Sequence, residues 1–159
     1  MLGRVTGRQW PSASSVSRRG DVKHPSFFLL YPADLEPCAF CTLHGESIVL
    51  GSELAIAFLD ACPVSPGHTL VIPRRHVASI YELTAAEQTA VWDLVGHVRG
   101  LLLAQIQVDG FNIGVNDGVA AGQTVMHAHV HLIPRHQGDV PDPRGGIRWV
   151  IASKAPYWK

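Results

Sequence analysis

Cysteine is scarce in this chain, at three in 159 residues, and two of the three share a single Cys-x-x-Cys. That is too few for a disulfide framework and suits a reducing compartment with one candidate metal knuckle. Net charge is missing as well: thirteen Lys+Arg balance thirteen Asp+Glu. A neutral chain lacks the electrostatic footprint of a protein that grips polymeric nucleic acid or a polybasic membrane surface. Long apolar runs are absent too, since the longest, Leu54–Leu59, falls far short of a bilayer span. No repeat period or low-complexity tract interrupts a composition that is 47% hydrophobic, enough for a real core in one domain. Histidine is what the chain has in excess, with nine residues, three of them inside five positions.

Residues 1–25 read as a disordered or leader-like tail. Ser12, Ser14, Ser15 and Ser17 lie among Arg4, Arg8, Arg18 and Arg19, with no acidic residue before Asp21 and no apolar stretch of a secretory signal. The same composition suits an organellar transit peptide; otherwise the cytoplasm is the expected location. Residues 26–159 read as one domain.

Within it, Glu53 to Asp60 alternates with period two, as a strand does. Pro63 and Pro66-Gly67 force a turn into a second strand, His68 to Pro73. Thr84-Ala-Ala-Glu87 is a capping box, and Val91, Leu94, Val95, Val98, Leu101, Leu102 and Ile106 follow it at helical spacing. This predicts one amphipathic helix of about twenty residues, weakened by Gly96 and Gly100 unless packing requires them. Phe111 to Asn116 and Met126 to Pro134 read as further strands. Short sequential strands around one long helix predict an α+β fold, an antiparallel sheet with the helix on one face.

The chemistry is concentrated in Met126-His-Ala-His-Val-His-Leu-Ile-Pro-Arg135. On a strand, His127, His129 and His131 share one side while Met126, Ala128, Val130 and Leu132 share the other, toward a core. The plain alternative is a solvent face that uses histidine three times by chance. Two chemistries want such a row of imidazoles: a catalytic metal held by three histidines, or a histidine nucleophile toward phosphorus with neighbours that stabilise charge and manage protons. The loop Asn116 to Thr124 is no Walker loop, lacking Gly-Lys-Ser/Thr, but it is rich in glycine and side-chain donors suited to anionic oxygens.

His127-Ala-His-Val-His-Leu-Ile133 resembles the signature of the histidine triad (HIT) family of nucleotide hydrolases and transferases. Asp60, Pro66-Gly67-His68 with the following Leu-Val-Ile-Pro, Asn116 and Gly122-Gln123-Thr124 extend the resemblance, which runs from about Cys38 to Arg148. Within the family the chain is most similar to bacterial-type members related to dinucleoside polyphosphate hydrolases. The resemblance implies a sheet of about five strands with one long helix, paired into a homodimer. It also implies roles: His129 as nucleophile toward the α-phosphate, His127 orienting it, His131 on the phosphoryl oxygens and His68 across the site. Asp60 would take the ribose hydroxyls and Phe58 the purine face. Asn116 would hold ribose or α-phosphate, with Gln123 and Thr124 on the leaving group and phosphate oxygens. The implied substrates are dinucleoside polyphosphates, such as diadenosine tetraphosphate, or nucleoside phosphoramidates. The rivals are a zinc hydrolase using the triad as ligands and a non-catalytic nucleotide sensor.

Cys38-Ala-Phe-Cys41 needs two more ligands for structural zinc. His44 would make a compact Cys-x-x-Cys-x-x-His; zinc-containing relatives imply His76 and His127 instead, which makes Cys38, Cys41, His76 and His127 the expected set. No metal is required for the chemistry itself. Cys62 has no partner by spacing and is expected in the core. His24, His97 and His136 are expected at the surface, and Arg144 and Arg148 are candidates for a polyphosphate tail.

Overall fold

The computed structural model describes residues 38–43 and 47–158 and the backbone of residues 3 and 4. His24, His44 and most of the tail lie outside them. The elements are β1 (Gly3–Arg4), β2 (Ile48–Gly51), β3 (Ala55–Leu59), β4 (Thr69–Pro73), α1 (Ala85–Gln105), β5 (Gly110–Gly114) and β6 (Val130–Arg135). All strand pairs are antiparallel, in the order β1-β2-β3-β4-β6-β5. The fold is α+β, as the element pattern predicts; the two-residue β1 is an addition to the five expected strands.

The period-two pattern of β3 places two different clusters on the two faces of the sheet. Ala55 and Ala57 face α1 with Val71, Val130 and Leu132, and Val91, Leu94, Val95, Val98 and Leu102 close that core from the helix side. Phe58, Leu70 and Ile72 form a second cluster, against which Ile56, Phe40 and Leu43 pack. Register aligns this second face: Phe58 lies opposite Leu70, and Leu70 opposite His131. Every residue of β4 is therefore buried. Both faces are covered, which explains its unbroken Thr-Leu-Val-Ile-Pro.

The Pro66-Gly67 turn requires its glycine. Gly67 has φ +83°, and a Cβ there would stand 2.9 Å from Leu102 Cδ2. A Cβ at Gly96 or Gly100, by contrast, would meet nothing within 4 Å, so no close approach demands these glycines. Alanine at either position is expected to raise stability by about 0.5–1 kcal/mol, read from urea unfolding midpoints.

The capping box is formed as the sequence predicts. Thr84 Oγ1 accepts from Glu87 N, and Glu87 Oε2 accepts from Thr84 N at 2.8 Å. Glu87 also receives an Arg75 fork, Nε to Oε1 and Nη2 to Oε2, each 2.8 Å. The Arg75 bonds first, and then the Thr84 backbone, lower its pKa from 4.5 to about 2. A carboxylate with a depressed folded-state pKa stabilises the fold above its unfolded value and loses that contribution as pH falls through the folded one. Stability should therefore decline between about pH 4.5 and 2, and Glu87→Gln should flatten that decline in urea titrations at stepped pH.

Two expectations are corrected. Cys62 is exposed, not in the core, because it sits in the turn after β3, where its N–H donates to Asp60 Oδ1 at 2.8 Å. The strand predicted from Met126 begins only at Val130. Met126 is 39% exposed, whereas His127, Ala128 and His129 are all buried, so in-and-out alternation fails there. The cause is pairing: the ladder between β4 and β6 stops at Val71 opposite Val130, because Pro73 has no N–H and its O accepts from the His127 ring, and Ala128 N donates instead to Val77 O at 2.7 Å.

Candidate active site and metal centre

His129 is 6% exposed and held by its own chain. Its Nδ1–H donates to the backbone oxygen of His127 at 2.7 Å. A neutral imidazole with Nδ1 protonated carries its lone pair on Nε2, and no described group bonds that nitrogen. The ring stands 5.0 Å from that of His131 and 5.3 Å, edge to face, from Phe40. His127 thus orients His129, but through its carbonyl rather than its ring.

The His127 ring turns away and is fully buried. Its Nε2–H donates to Pro73 O at 2.9 Å, leaving the Nδ1 lone pair aimed at the thiols. Nδ1 lies 3.7 Å from Cys38 Sγ and 3.6 Å from Cys41 Sγ, while His76 Nδ1 is 3.3 Å from Cys41 Sγ. The four ligand atoms lie within 4.8 Å of one another. Tetrahedral zinc with bonds of about 2.3 Å to sulfur and 2.0–2.1 Å to nitrogen separates S and N by roughly 3.5 Å. Distances, donor types and a carbonyl that locks the histidine tautomer all fit that ion. Burial lowers the His127 pKa, with His76 and His129 adding to the effect against the opposing Pro73 bond. A neutral ring is the form that binds metal.

On the second face, His68 Nε2 lies 3.0 Å from His131 Nδ1, and His68 Nδ1 lies 3.3 Å from Asp60 Oδ2. Burial first, then the charges of His129 and His68, lower the His131 pKa to about 4. Burial lowers that of His68 also, opposed by Asp60. Both rings are uncharged at neutral pH. The triad nitrogens therefore do not converge: His127 belongs to the cysteine set, His131 to the Asp60–His68 set, and His129 to neither.

The remaining candidates separate sharply. Asn116, half-buried after β5, has an amide with no hydrogen bond among the described residues, and Thr124 is exposed. Gln123 is 4% exposed and fully engaged inside the loop. Its Oε1 accepts from Gly118 N at 2.7 Å, and its Nε2 donates to Ala78 O at 2.8 Å and Val125 O at 3.2 Å. Phe58 is buried, with Phe40 edge-on at 5.2 Å. Arg144 is forked to Asp142 and stacked on Trp158, and Arg148 donates to Ala155 O and Lys154 O, so both guanidiniums serve the C-terminal segment.

Sequence reasoning missed Phe40 and the carbonyl of Pro73. Phe40 carried a signal, an aromatic between two expected ligands; the carbonyl carried none.

An antiparallel sheet with one packed helix, delivering a buried cluster of imidazoles to the face opposite that helix, defines a histidine-centred α+β domain. The HIT domain family model matches residues 44–138, and the chain belongs to that family. It is 41% identical over 95 residues to bis(5'-nucleosyl)-tetraphosphatase [asymmetrical] of Schizosaccharomyces pombe, a match covering 60% of this chain and 52% of that enzyme. The chain thus spans about half the length of that relative. A HIT family protein from Bacillus anthracis superposes with TM-score 0.60 at 39% identity, covering 64% of this chain and 75% of that one. A Zn-bound histidine triad family protein from Mycobacterium smegmatis superposes with TM-score 0.55 at 31% identity, covering 67% and 81%.

Proposed function

We propose that this chain is a nucleotide hydrolase or nucleotidyl transferase. It cleaves the α-phosphate linkage of dinucleoside polyphosphates, such as diadenosine tetraphosphate, or of nucleoside phosphoramidates, through a covalent nucleotidyl-His129. The observation that carries this reading is the 2.7 Å bond from His129 Nδ1 to the His127 carbonyl, which presents a fixed Nε2 lone pair in a nearly closed site. That lone pair forms the N–P bond as the P–O or P–N bond to the leaving group breaks. Water, or another acceptor, then forms a bond to phosphorus and the N–P bond breaks. The tetraphosphatase relative supports the substrate class.

Asp60 receives the ribose hydroxyls, and Phe40 joins Phe58 as the apolar wall for the base. Asn116 and Thr124 supply donors to ribose and phosphoryl oxygens, where preorganised donors matter most. Gln123 supports them by holding the loop in shape. The separation of the triad nitrogens between two donor sets favours this reading over a metal held by the triad itself.

Zinc held by Cys38, Cys41, His76 and His127 supplies structural cross-linking rather than chemistry. The four residues tie the knuckle, and with it Phe40, to the segment that carries His129. The zinc-bound mycobacterial relative supports the assignment. Trp92 and Leu103 on α1, 49% and 45% exposed, and Ile113 on the edge strand β5, 39% exposed, support a homodimer built through helix and sheet edge. Three free cysteines suit a reducing cytoplasm.

The test is to quench the protein during turnover of diadenosine tetraphosphate and weigh it intact. A gain of one nucleotidyl group, mapped to the His129 peptide, is expected; turnover without any adduct refutes the covalent route.

A further inference from the structure

Asp60, His68 and His131 stand in a row that ends on a nitrogen with no partner among the described residues. Asp60 Oδ1 is fixed by Cys62 N at 2.8 Å, and Oδ2 faces His68 Nδ1 at 3.3 Å. His68 Nε2 meets His131 Nδ1 at 3.0 Å. His131 Nε2 is buried and has no hydrogen-bond partner among the described residues, which marks where a substrate or water atom belongs. His68 is only 3% exposed, whereas the Asp60 side chain is 18% exposed, so the row opens to solvent at its carboxylate end.

We propose that this row is a proton relay for release of the nucleotide, in which Asp60 acts as a positioning residue beyond its contact with ribose. The inference rests on the covalent reading above. Its direction follows from which acceptor wins His68 Nδ1. Val64 N–H donates to that nitrogen at 3.4 Å in this structure, while the Asp60 carboxylate stands 3.3 Å away. The ionised carboxylate is the stronger partner, and a proton on Nδ1 pairs with it in place of the Val64 bond. His68 Nε2 then carries the lone pair, His131 Nδ1 donates to it, and His131 Nε2 is left as a proton acceptor beside His129.

Each proton is accounted for. As water bonds to phosphorus and the N–P bond breaks, one water proton passes to His131 Nε2. The Nδ1 proton of His131 passes to His68 Nε2. His131 stays neutral with its tautomer reversed, and His68 becomes an imidazolium paired with the Asp60 carboxylate. The proton leaves to solvent from His68 Nδ1 at the exposed end, which leaves both rings in the reversed tautomer. A proton passed back along the row in the next cycle, from Asp60 through His68 to His131 Nε2 and on to the leaving group, restores them. A buried imidazole that resists charge can thereby act as a base, because the charge settles one residue further on.

Asp60→Asn keeps a polar contact for the ribose and removes the counter-ion. Its kcat on diadenosine tetraphosphate is expected to fall about 10²-fold with kcat/KM nearly unchanged, and the nucleotidyl-enzyme to accumulate in intact mass spectra. His68→Gln, which can bond His131 but cannot hold the proton, should show the same split, and it serves if Asp60→Asn fails to fold. Nitrogen-15 spectra of the substrate-free wild type should show Nδ1 protonated and Nε2 bare on both His68 and His131. An unprotonated His68 Nδ1, an unchanged kcat, or a loss confined to KM would overturn the relay. Should the wild type form no adduct, the covalent reading fails, and the tautomer spectra still decide the row by themselves.

Discussion

Replacing His129 with alanine is expected to leave less than about a hundredth of the wild-type turnover, while nucleotide affinity survives. The loss is large because no neighbour can take over. The His127 ring donates to Pro73 O and points its other nitrogen at the thiols. His131 Nδ1 is bonded to His68. Neither has a nitrogen that combines a free lone pair with the position of His129 Nε2. Affinity should persist because Asp60, Phe40, Phe58 and Asn116 lie on other elements and are unaltered by the truncation. Equilibrium binding of a non-hydrolysable dinucleotide, beside steady-state rates, checks both halves. A variant that keeps more than about a tenth of the rate would require a different nucleophile.

On the proposed zinc assignment, loss of the ion is expected to have the largest effect on stability. Cys41→Ser leaves only Cys38, His76 and His127 of a set whose four ligand atoms lie within 4.8 Å of one another. The variant should purify without zinc and melt about 10 °C lower, the shift that follows from a loss of about 2–3 kcal/mol in a domain of this size. Turnover should fall as well, because the knuckle carries Phe40, whose ring stands 5.3 Å from that of His129. His129→Ala should keep its zinc, which separates the two roles. Native mass spectrometry and thermal melts with and without chelator read the result; wild-type protein holding no zinc and indifferent to chelator would refute the assignment.

Much of this molecule is legible in the order of its residues. A capping box and apolar residues at helical spacing announce the helix, and it runs from Ala85 to Gln105 as expected. Such local rules depend on residues three and four apart, which sequence displays directly. The metal set joins Cys38 and Cys41 to His127 across 89 and 86 residues, respectively, and it was reached through resemblance rather than spacing.

The failures share one cause. Alternation across 126–129 reads as a strand, yet the ladder with β4 stops at Val71 opposite Val130, because Pro73 offers no N–H and its carbonyl is taken by the His127 ring. Gln123 looked like a substrate donor, but its amide is consumed by Gly118, Ala78 and Val125. Arg144 looked free for phosphate and is committed to Asp142 and Trp158. A polar side chain announces its capacity to bond in sequence; its partner is chosen by the packing around it.

Residue order alone therefore determined the element types, the clustering of imidazoles and the family, because each depends on short-range period or an ordered motif. Tertiary structure alone decided the division of labour among the three histidines: one toward thiols, one toward the His68 ring and one left open. That division depends on which group comes to rest within hydrogen-bonding distance of each ring: the Pro73 carbonyl for His127, the His127 carbonyl for His129 and the His68 imidazole for His131.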